Sequence, residues 1–578
     1  MPEKITSARA ITIIVILGIV VFFNALFNGF VGDDKSYITQ NPELSPANTI
    51  NFFGKNFFNT AGQYRPITVI YFYALRAIAG NTAFIYHALQ ISLHITNAVL
   101  VLKILDSFLH RRLSLILSLV FLVHPLQVES VSYIAQTGGL ILFFLGLTVL
   151  SQVKKPLRAI NYISVSALLL ISMLIKETGV IFVLLAVLYV FLFAKESSKK
   201  TAFVFCAFTN IIVYFFIRLF VGQIGFSTRP LTPIVHIPFT QRLTTIPSVI
   251  FYYLKTFIWP SKLIIDQQWV VEYPTISTFF LPLAIDVTFV VVMLLVGYYL
   301  YRFHKSQLRA FVFFSSWLIL GLFFHSQIFP LDMTVADRWF YLPMVGLLGT
   351  MGIILQAFLK EKIESKYFIG SAIVILFLLS TRTVTRNTNW KDDLTLLQHD
   401  IQYENNFNMN NNLGIEYINI GEYQKALSHF LTSVRQQEYE YNLHNTGVAY
   451  EKLGNVEKAK EYYWKSLNAT DYGLFQGHNH DEKSYKSLAS TLVFYDDPQK
   501  AKEFIQNALQ DYPQSSDLWF FLALAEAKLK NTQKALQAAQ TAYSLSPNPQ
   551  DTYVYSRLKS NQPFEIIVND KTFKFSSY

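Results

Sequence analysis

Long apolar blocks separated by short polar breaks fill the first two thirds of the chain. ITIIVILGIVVFF near the N-terminus and LPLAIDVTFVVVMLLVGYYL further on are typical. After about Arg382 the pattern changes to a mixture of Asn, Gln, Lys, Glu and Ala with apolar positions at helical spacing. A hydrocarbon layer about 30 Å thick needs roughly 20 apolar residues in a helix. On that scale the blocks predict about eleven spans, at 10–31, 83–107, 113–127, 129–152, 158–175, 178–194, 199–221, 277–301, 310–329, 339–359 and 367–381. The stretch SVIFYYLKTFIWP (248–260) is short, carries Lys255 and ends in Pro, which predicts a re-entrant or interfacial helix. No small-residue cleavage site follows the first block, so it is expected to stay as a helix.

Composition agrees with a membrane protein: 52% hydrophobic, 16% aromatic and only 15% charged residues. The formal net charge of +10 would suit nucleic acid, but its placement argues against that partner. Lys103/Arg111/Arg112, Lys154/Lys155/Arg158, Lys195/Lys199/Lys200, Arg302/Lys305/Arg309 and Lys360/Lys362/Lys366 fall on alternate loops. Lys and Arg mark the cytoplasmic side. The N-terminus is therefore predicted inside, and loops 32–82, 222–276 and 330–338 outside, with Arg382 and Arg386 left on the outer face. An odd number of spans puts the polar C-terminal region outside as well. Cys206 is the only cysteine, which excludes disulfides and a cysteine-cluster metal site, and favours a bacterial plasma membrane over an endoplasmic reticulum.

The polar region repeats itself. NNLGIEYINIGEYQKALSHFLTSV aligns with HNTGVAYEKLGNVEKAKEYYWKSL, placing Gly414 and Gly447 at an offset of 33. DDPQKAKEFIQNALQDYP and KNTQKALQAAQTAYSLSP align with Ala501 and Ala535, and Pro513 and Pro547, at an offset of 34. Small residues at a helix crossing and a terminal Pro at this period are the tetratricopeptide signature. Four units over 407–548 predict an α-solenoid with a concave surface for a protein or peptide partner, after a connecting segment at 383–406 and before a tail at 549–578. The expected fold class is all-α: a polytopic helical membrane domain (1–382) followed by this solenoid. The insertion carrying His478, His480, Asp481 and Glu482 reads as a solvated loop rather than a zinc site. Asn468-Ala469-Thr470 matches a glycosylation acceptor pattern.

Charged groups at membrane segments are costly and therefore candidates for function. In the predicted topology they gather on the outer face. Asp33 and Asp34 follow the first span, Arg65 closes the first outer loop, and His124 and Glu129 lie in VHPLQVES. Lys176 and Glu177 mark the next outer turn, and Asp337 and Arg338 open the tenth span. His87 and His94 share one face of the second helix. Acids and cations at one membrane face suit a reaction in which a carboxylate takes a proton from an acceptor hydroxyl while cations hold a phosphate leaving group. Arg is apt for the phosphate because its rigid fork binds oxygens in pairs. Metal dependence is left open, with Asp33 and Asp34 the pair that would hold a divalent cation.

VGDDKSYITQNPELS, QYRPITVIYFYAL, IYHALQISLHITNAVLVL, LVHPLQVESVSYIA, KETGVIFVLLAVLY and VADRWFYLPMVG occur in that order. In this ordered set the chain resembles the transmembrane and tetratricopeptide-repeat O-mannosyltransferases and their bacterial relatives, of the GT-C class. The resemblance implies an inverting transfer of a mannose-like sugar from a polyprenyl-phosphate donor to a protein acceptor, on the outer or lumenal face. It implies Asp33 and Asp34 as the catalytic acids, with Asp33 the leading base. Arg65, Lys176 and Arg338 are the expected donor-phosphate ligands. His87, His94, His124, Glu129, Glu177 and Asp337 are expected to shape the sugar or acceptor pocket. One departure stands out: QTGGL follows VSYIA where many relatives carry a charged Gly-Arg-x-Asp/Glu-like stretch.

Two other classes compete. A membrane-anchored scaffold would use the repeats alone and leave the outer acids without purpose. A transporter would be expected to show duplicated hydrophobic segments and acids at mid-span, where Asp286 is the main example.

Overall fold

In the computed structural model the chain forms two compact units, Met1–Glu404 and Asn405–Tyr578. The structure describes residues 6–41, 44, 52–54, 63–154, 159–194, 197–225, 232–469, 482–569 and 571–576.

The first unit is helical. Its elements are α1 (Ser7–Phe22), α2 (Pro66–Ala79), α3 (Ala83–Leu105), α4 (Arg111–Val123), α5 (Val128–Ser132), α6 (Thr137–Val153), α7 (Ala159–Ile175) and α8 (Val180–Phe193). They continue with α9 (Ser197–Phe216), α10 (Pro233–His236), α11 (Phe239–Ile258), α12 (Leu281–Phe303), α13 (Lys305–Phe323), α14 (Tyr341–Leu359), α15 (Lys366–Asn389) and α16 (Asp393–Asp400). Among the described residues, eight helices are long and apolar enough to cross a membrane. Nine result if Arg111–Val123 and Pro125–Ser132, bent by 51°, count as one. The remaining apolar blocks form shorter helices among the described residues. The blocks at 158–175 and 178–194 yield the shorter apolar helices Tyr162–Ile175 and Glu177–Phe193, because the polar Lys176–Gly179 turn cuts a long apolar run in two. The helix Pro66–Ala79, inside the expected outer loop, is also apolar and short.

Central and peripheral helices differ in burial. The spans built on α6 and α14 are 61% buried, whereas those on α12 and α15 are 11% and 17% buried. The central core is aromatic: Phe143 sits edge-on to Tyr341 at 4.8 Å and to Phe182 at 5.8 Å, with Trp317 beyond. Such edge-on pairs add to their burial energy. α13 and α14 approach closely because Gly346 lies against the Leu318 backbone and Gly349 against Phe314, where a Cβ would collide. The expected short helix at 248–260 is the end of α11, which begins at Phe239 and contains Pro247.

The last apolar block extends further than its composition suggests. α15 continues through Arg382 and Arg386 to Asn389. The Arg386 guanidinium is buried and donates to both carboxylate oxygens of Asp400 on α16, at 2.7 and 3.0 Å. Asp400 also accepts the Ile265 N–H at 2.8 Å. A buried arginine is tolerated because its charge and its donors are matched.

The second unit pairs α17 (Phe407–Asn419) with α18 (Tyr423–Gln436), α19 (Glu440–Lys452) with α20 (Val456–Leu467), α21 (Glu482–Tyr495) with α22 (Pro498–Asp511), and α23 (Ser516–Lys528) with α24 (Thr532–Leu545). Gly414 and Gly447 stand where a Cβ would meet Phe430 at 2.5 Å and Tyr463 at 2.6 Å, so glycine sets the helix crossing. Ala501 and Ala535 are fully buried at the corresponding crossings. The region 549–578, expected as a tail, contains α25 (Pro549–Lys559) and an antiparallel hairpin, β1 (Phe564–Val568) with β2 (Lys571–Phe575). Apart from that hairpin the described chain is helical. His478, His480, Asp481 and Thr470 lie outside the described residues.

Candidate functional site

The acidic pair sits on a tight turn after α1. Gly32 has φ +53°, and a Cβ there would lie 3.1 Å from the Tyr133 hydroxyl, so the turn needs glycine on both counts. This turn splits the two acids. Asp34 is fully buried, and its carboxylate accepts the N–H of Val31 at 3.1 Å and of Ala135 at 2.5 Å. Burial pushes its pKa well above the ordinary value, against the pull of those backbone donors. Asp33 is exposed, and its backbone N–H donates to the Tyr133 hydroxyl at 3.0 Å. Asp34 therefore anchors the loop, and Asp33 presents a carboxylate outward.

The same loop is held from the far end of the unit. Asp393, the first residue of α16, accepts the Gly32 N–H at 2.6 Å and pairs with Lys35. Gly29 donates to the Lys391 carbonyl at 2.8 Å, and the Asn28 amide to the Asn387 carbonyl at 3.1 Å. Trp390 is fully buried against Tyr133.

Tyr133 connects this loop to the cations. Its phenol is raised well above its ordinary pKa by burial first, then by Asp33 and Asp34, with Arg338 acting in the opposite sense. Arg338 is paired with Glu129, whose other oxygen accepts the Arg338 N–H at 2.9 Å. Arg65 donates to Glu177 at 3.1 Å, and Glu177 also accepts the Tyr64 N–H at 2.9 Å. The two glutamates thus orient two arginines. Lys176 has a weaker tether, donating to Gln136 at 3.3 Å. Its pKa is lowered to about 7, by burial first and then by the like charges of Arg65 and Arg338. The three cations expected to bind a phosphate consequently share one electrostatic neighbourhood.

Lys176, Gln136, Ser130, His325 and Arg338 line a cavity of about 50 Å³, with Phe143, Trp339 and Tyr341 among its apolar walls. Gln136 and Gly139 of the divergent QTGGL stretch are in that lining. The relation to the expected charged stretch is therefore direct: an amide stands there, and it holds Lys176.

His87, His94 and His124 are not among the residues lining this cavity. His94 bonds to Tyr341 and to the Leu122 carbonyl, both at 2.9 Å. His124 bonds to the Phe257 carbonyl at 2.9 Å, accepts the Leu126 N–H at 3.2 Å and stacks on Phe257. With both ring nitrogens engaged, each joins structural elements rather than facing the cavity. His87 lies 3.3 Å from the Gly29 carbonyl, under the acidic loop, and its Nδ1 is buried without a partner. Asp337 is buried and accepts from Tyr252 at 2.6 Å. Tyr133 lies in LVHPLQVESVSYIA and Gln136 in QTGGL, whereas His325 and Asp393 fall in none of the motifs. Among the described residues no group of three or more His, Cys, Asp or Glu is placed to hold a metal ion.

A family model described as tetratricopeptide repeat matches residues 442–470 and 516–549. Over 97% of its length the chain is 25% identical to the human (Homo sapiens) protein named Protein O-mannosyl-transferase TMTC3, covering 63% of that protein. Over 67% of its length it is 24% identical to Protein O-mannosyl-transferase F38B6.6 of Caenorhabditis elegans, covering 57% of it. Over 74% it is 23% identical to Protein O-mannosyl-transferase Tmtc3 of Drosophila melanogaster, covering 55%. The resemblance read from the motifs extends across both units. The chain spans between about half and two thirds of the length of these curated relatives.

Proposed function

We propose that this chain is an integral membrane glycosyltransferase that moves a mannose-like sugar from a polyprenyl-phosphate donor to a hydroxyl of a protein acceptor on the outer or lumenal face. The observations that support this reading are the position of Tyr133 between the exposed Asp33 and Arg338, and the cavity lined by Arg338 and Lys176, with Arg65 close enough to act on Lys176. They occur in a chain similar over nearly its whole length to proteins named O-mannosyl-transferases.

In this reading the Asp33 carboxylate takes the proton of the acceptor hydroxyl as that oxygen bonds to the anomeric carbon. The bond from that carbon to the phosphate oxygen breaks, and the polyprenyl phosphate leaves with the electron pair, so the configuration inverts. Arg338, Lys176 and Arg65 meet the developing phosphate charge. An anion at their centre relieves the mutual repulsion of three partly buried cations, which favours the state where charge has left the sugar. Asp34, bonded to two backbone N–H groups, fixes the turn on which Asp33 sits. The repeats recruit the acceptor polypeptide.

The test uses the purified full chain, a polyprenyl-phosphate mannose and candidate acceptor polypeptides, with transfer read by mass spectrometry. Asp33→Asn is expected to lower the rate by about 10²–10⁴-fold, the usual worth of a general base. Undiminished transfer by Asp33→Asn would remove this carboxylate from the mechanism, and no transfer by the unaltered chain to any hydroxyl acceptor would remove the activity.

A further inference from the structure

A second polar cavity lies at the opposite end of the helices that carry the site. It is open, has a volume of about 610 Å³, and is lined by Ser7 and Ile11 of α1, Leu102 and Lys103 of α3, Asp106 and Ser107 just beyond it, Arg111 of α4, and Lys154 at the end of α6. α3 shows the relation between the two ends. His87, near its start, lies under Gly29 of the acidic loop, and Lys103, near its finish, lines this cavity. At about 1.5 Å per residue the two positions are roughly 24 Å apart along the axis, close to the thickness of a hydrocarbon layer.

The lining sets three bases against one acid. Arg111 is paired with Asp106, yet its Nη2 is buried without a hydrogen-bond partner. Among the described residues Lys154 donates to the neutral hydroxyl of Ser107 and to no carboxylate. Lys103 makes no ion pair or side-chain hydrogen bond with any described residue. Among the described residues Lys103 and Lys154 have no carboxylate partner, and the one acid of the lining, Asp106, is paired with Arg111 while its Oδ1 is buried without a donor, so the lining keeps a net positive charge. Ile11 and Leu102 add apolar wall to this lining. Basic cavities between membrane helices on the cytoplasmic side suit phosphate-bearing headgroups.

We infer that this cavity binds a phosphate monoanion or diester, with the headgroup of an anionic phospholipid of the leaflet opposite the acidic loop as its source, and that Lys103 and Lys154 supply the charge. The inference is independent of the reaction proposed above. Such a lipid would tie together the ends of α1, α3, α4 and α6; the other ends of α1, α3 and α6 lie beside the acidic loop.

The full chain is reconstituted in nanodiscs of phosphatidylcholine with or without about one fifth phosphatidylglycerol, and retained lipids are counted by native mass spectrometry after release. A parallel arm titrates inorganic phosphate in detergent and follows thermal stability. Retained phosphatidylglycerol in the unaltered chain is expected, and Lys103→Gln and Lys154→Gln are each expected to weaken retention about fivefold, near 1 kcal/mol per charge. Lys103→Arg and Lys154→Arg should restore it. Arg302→Gln removes the same charge from a helix end outside the cavity and should leave retention unchanged. Protection by inorganic phosphate that the two glutamine variants lose would keep the site and identify free phosphate as its source. Equal losses from all three glutamine variants would reduce the effect to diffuse surface charge and overturn the inference. Absence of both phosphatidylglycerol retention and phosphate protection would overturn it too.

Discussion

The two units treat charge in opposite ways. In the membrane unit the informative charges are buried: Arg338 with Glu129, Arg386 with Asp400, and Asp34 against backbone N–H groups. In the repeat unit many ion pairs lie on exposed helix faces, such as Lys425 with Glu422 and Lys465 with Glu461. Apolar packing around small residues holds the repeats together instead. A buried pair is poor evidence for net stability, since desolvation offsets much of its attraction, but removing one partner strands a charge. An exposed pair is screened and contributes little. Charge in the first unit therefore fixes the position of loops, whereas charge in the second mainly keeps a packed array soluble.

The contrast is sharpest at Asp400. Asp400→Asn leaves Arg386 buried without its counter-charge and is expected to cost about 3–5 kcal/mol, read as a large drop in the unfolding midpoint of the full chain in detergent. A change too small to measure would mean that water reaches Arg386, and the contrast between the units would fail. The equivalent weak point of the repeats is steric. Gly447→Val drives side-chain atoms into Tyr463 and should destabilise the array by about 1–3 kcal/mol, seen by circular dichroism as an earlier helical transition.

Lys176 probes the electrostatics of the site itself. With its pKa near 7 rather than the ordinary 10.5, the folded chain releases this proton first. Between about pH 7 and 10.5 the unfolded chain binds more protons, so this group makes folding stability rise with pH across that window. Donor binding should run the other way, because the charge that grips phosphate is lost above about pH 7. The apparent KM for the polyprenyl-phosphate donor is expected to increase about tenfold per pH unit there, and Lys176→Arg should flatten the dependence. An unchanged pH profile in Lys176→Arg would exclude this lysine as the titrating ligand. The smallest effect belongs to the exposed repeat surface: Lys425→Ala, which breaks the pair with Glu422, should alter stability by no more than about 0.5 kcal/mol. A larger loss would show that the repeats, too, depend on placed charge.

How much of this could be read from the chain follows the same division. Hydropathy located the apolar helices and the 33–34 residue period located the repeats, because both signals are local and recur along the sequence. The ordered motifs also marked Asp33, Asp34, Arg65, Lys176 and Arg338. Three things required the fold. Asp33 and Asp34 are neighbours of identical chemistry, and only the turn at Gly32 makes one exposed and the other a buried anchor. His94 and His124 look equally functional in sequence, yet partners on distant elements occupy both nitrogens of each. Asp393 is far from the acidic loop along the chain and touches it through Gly32 and Lys35. Periodicity and composition determine which segments leave water. Which charges face one another across folded helices depends on long-range packing, and that information is absent from any short stretch of sequence.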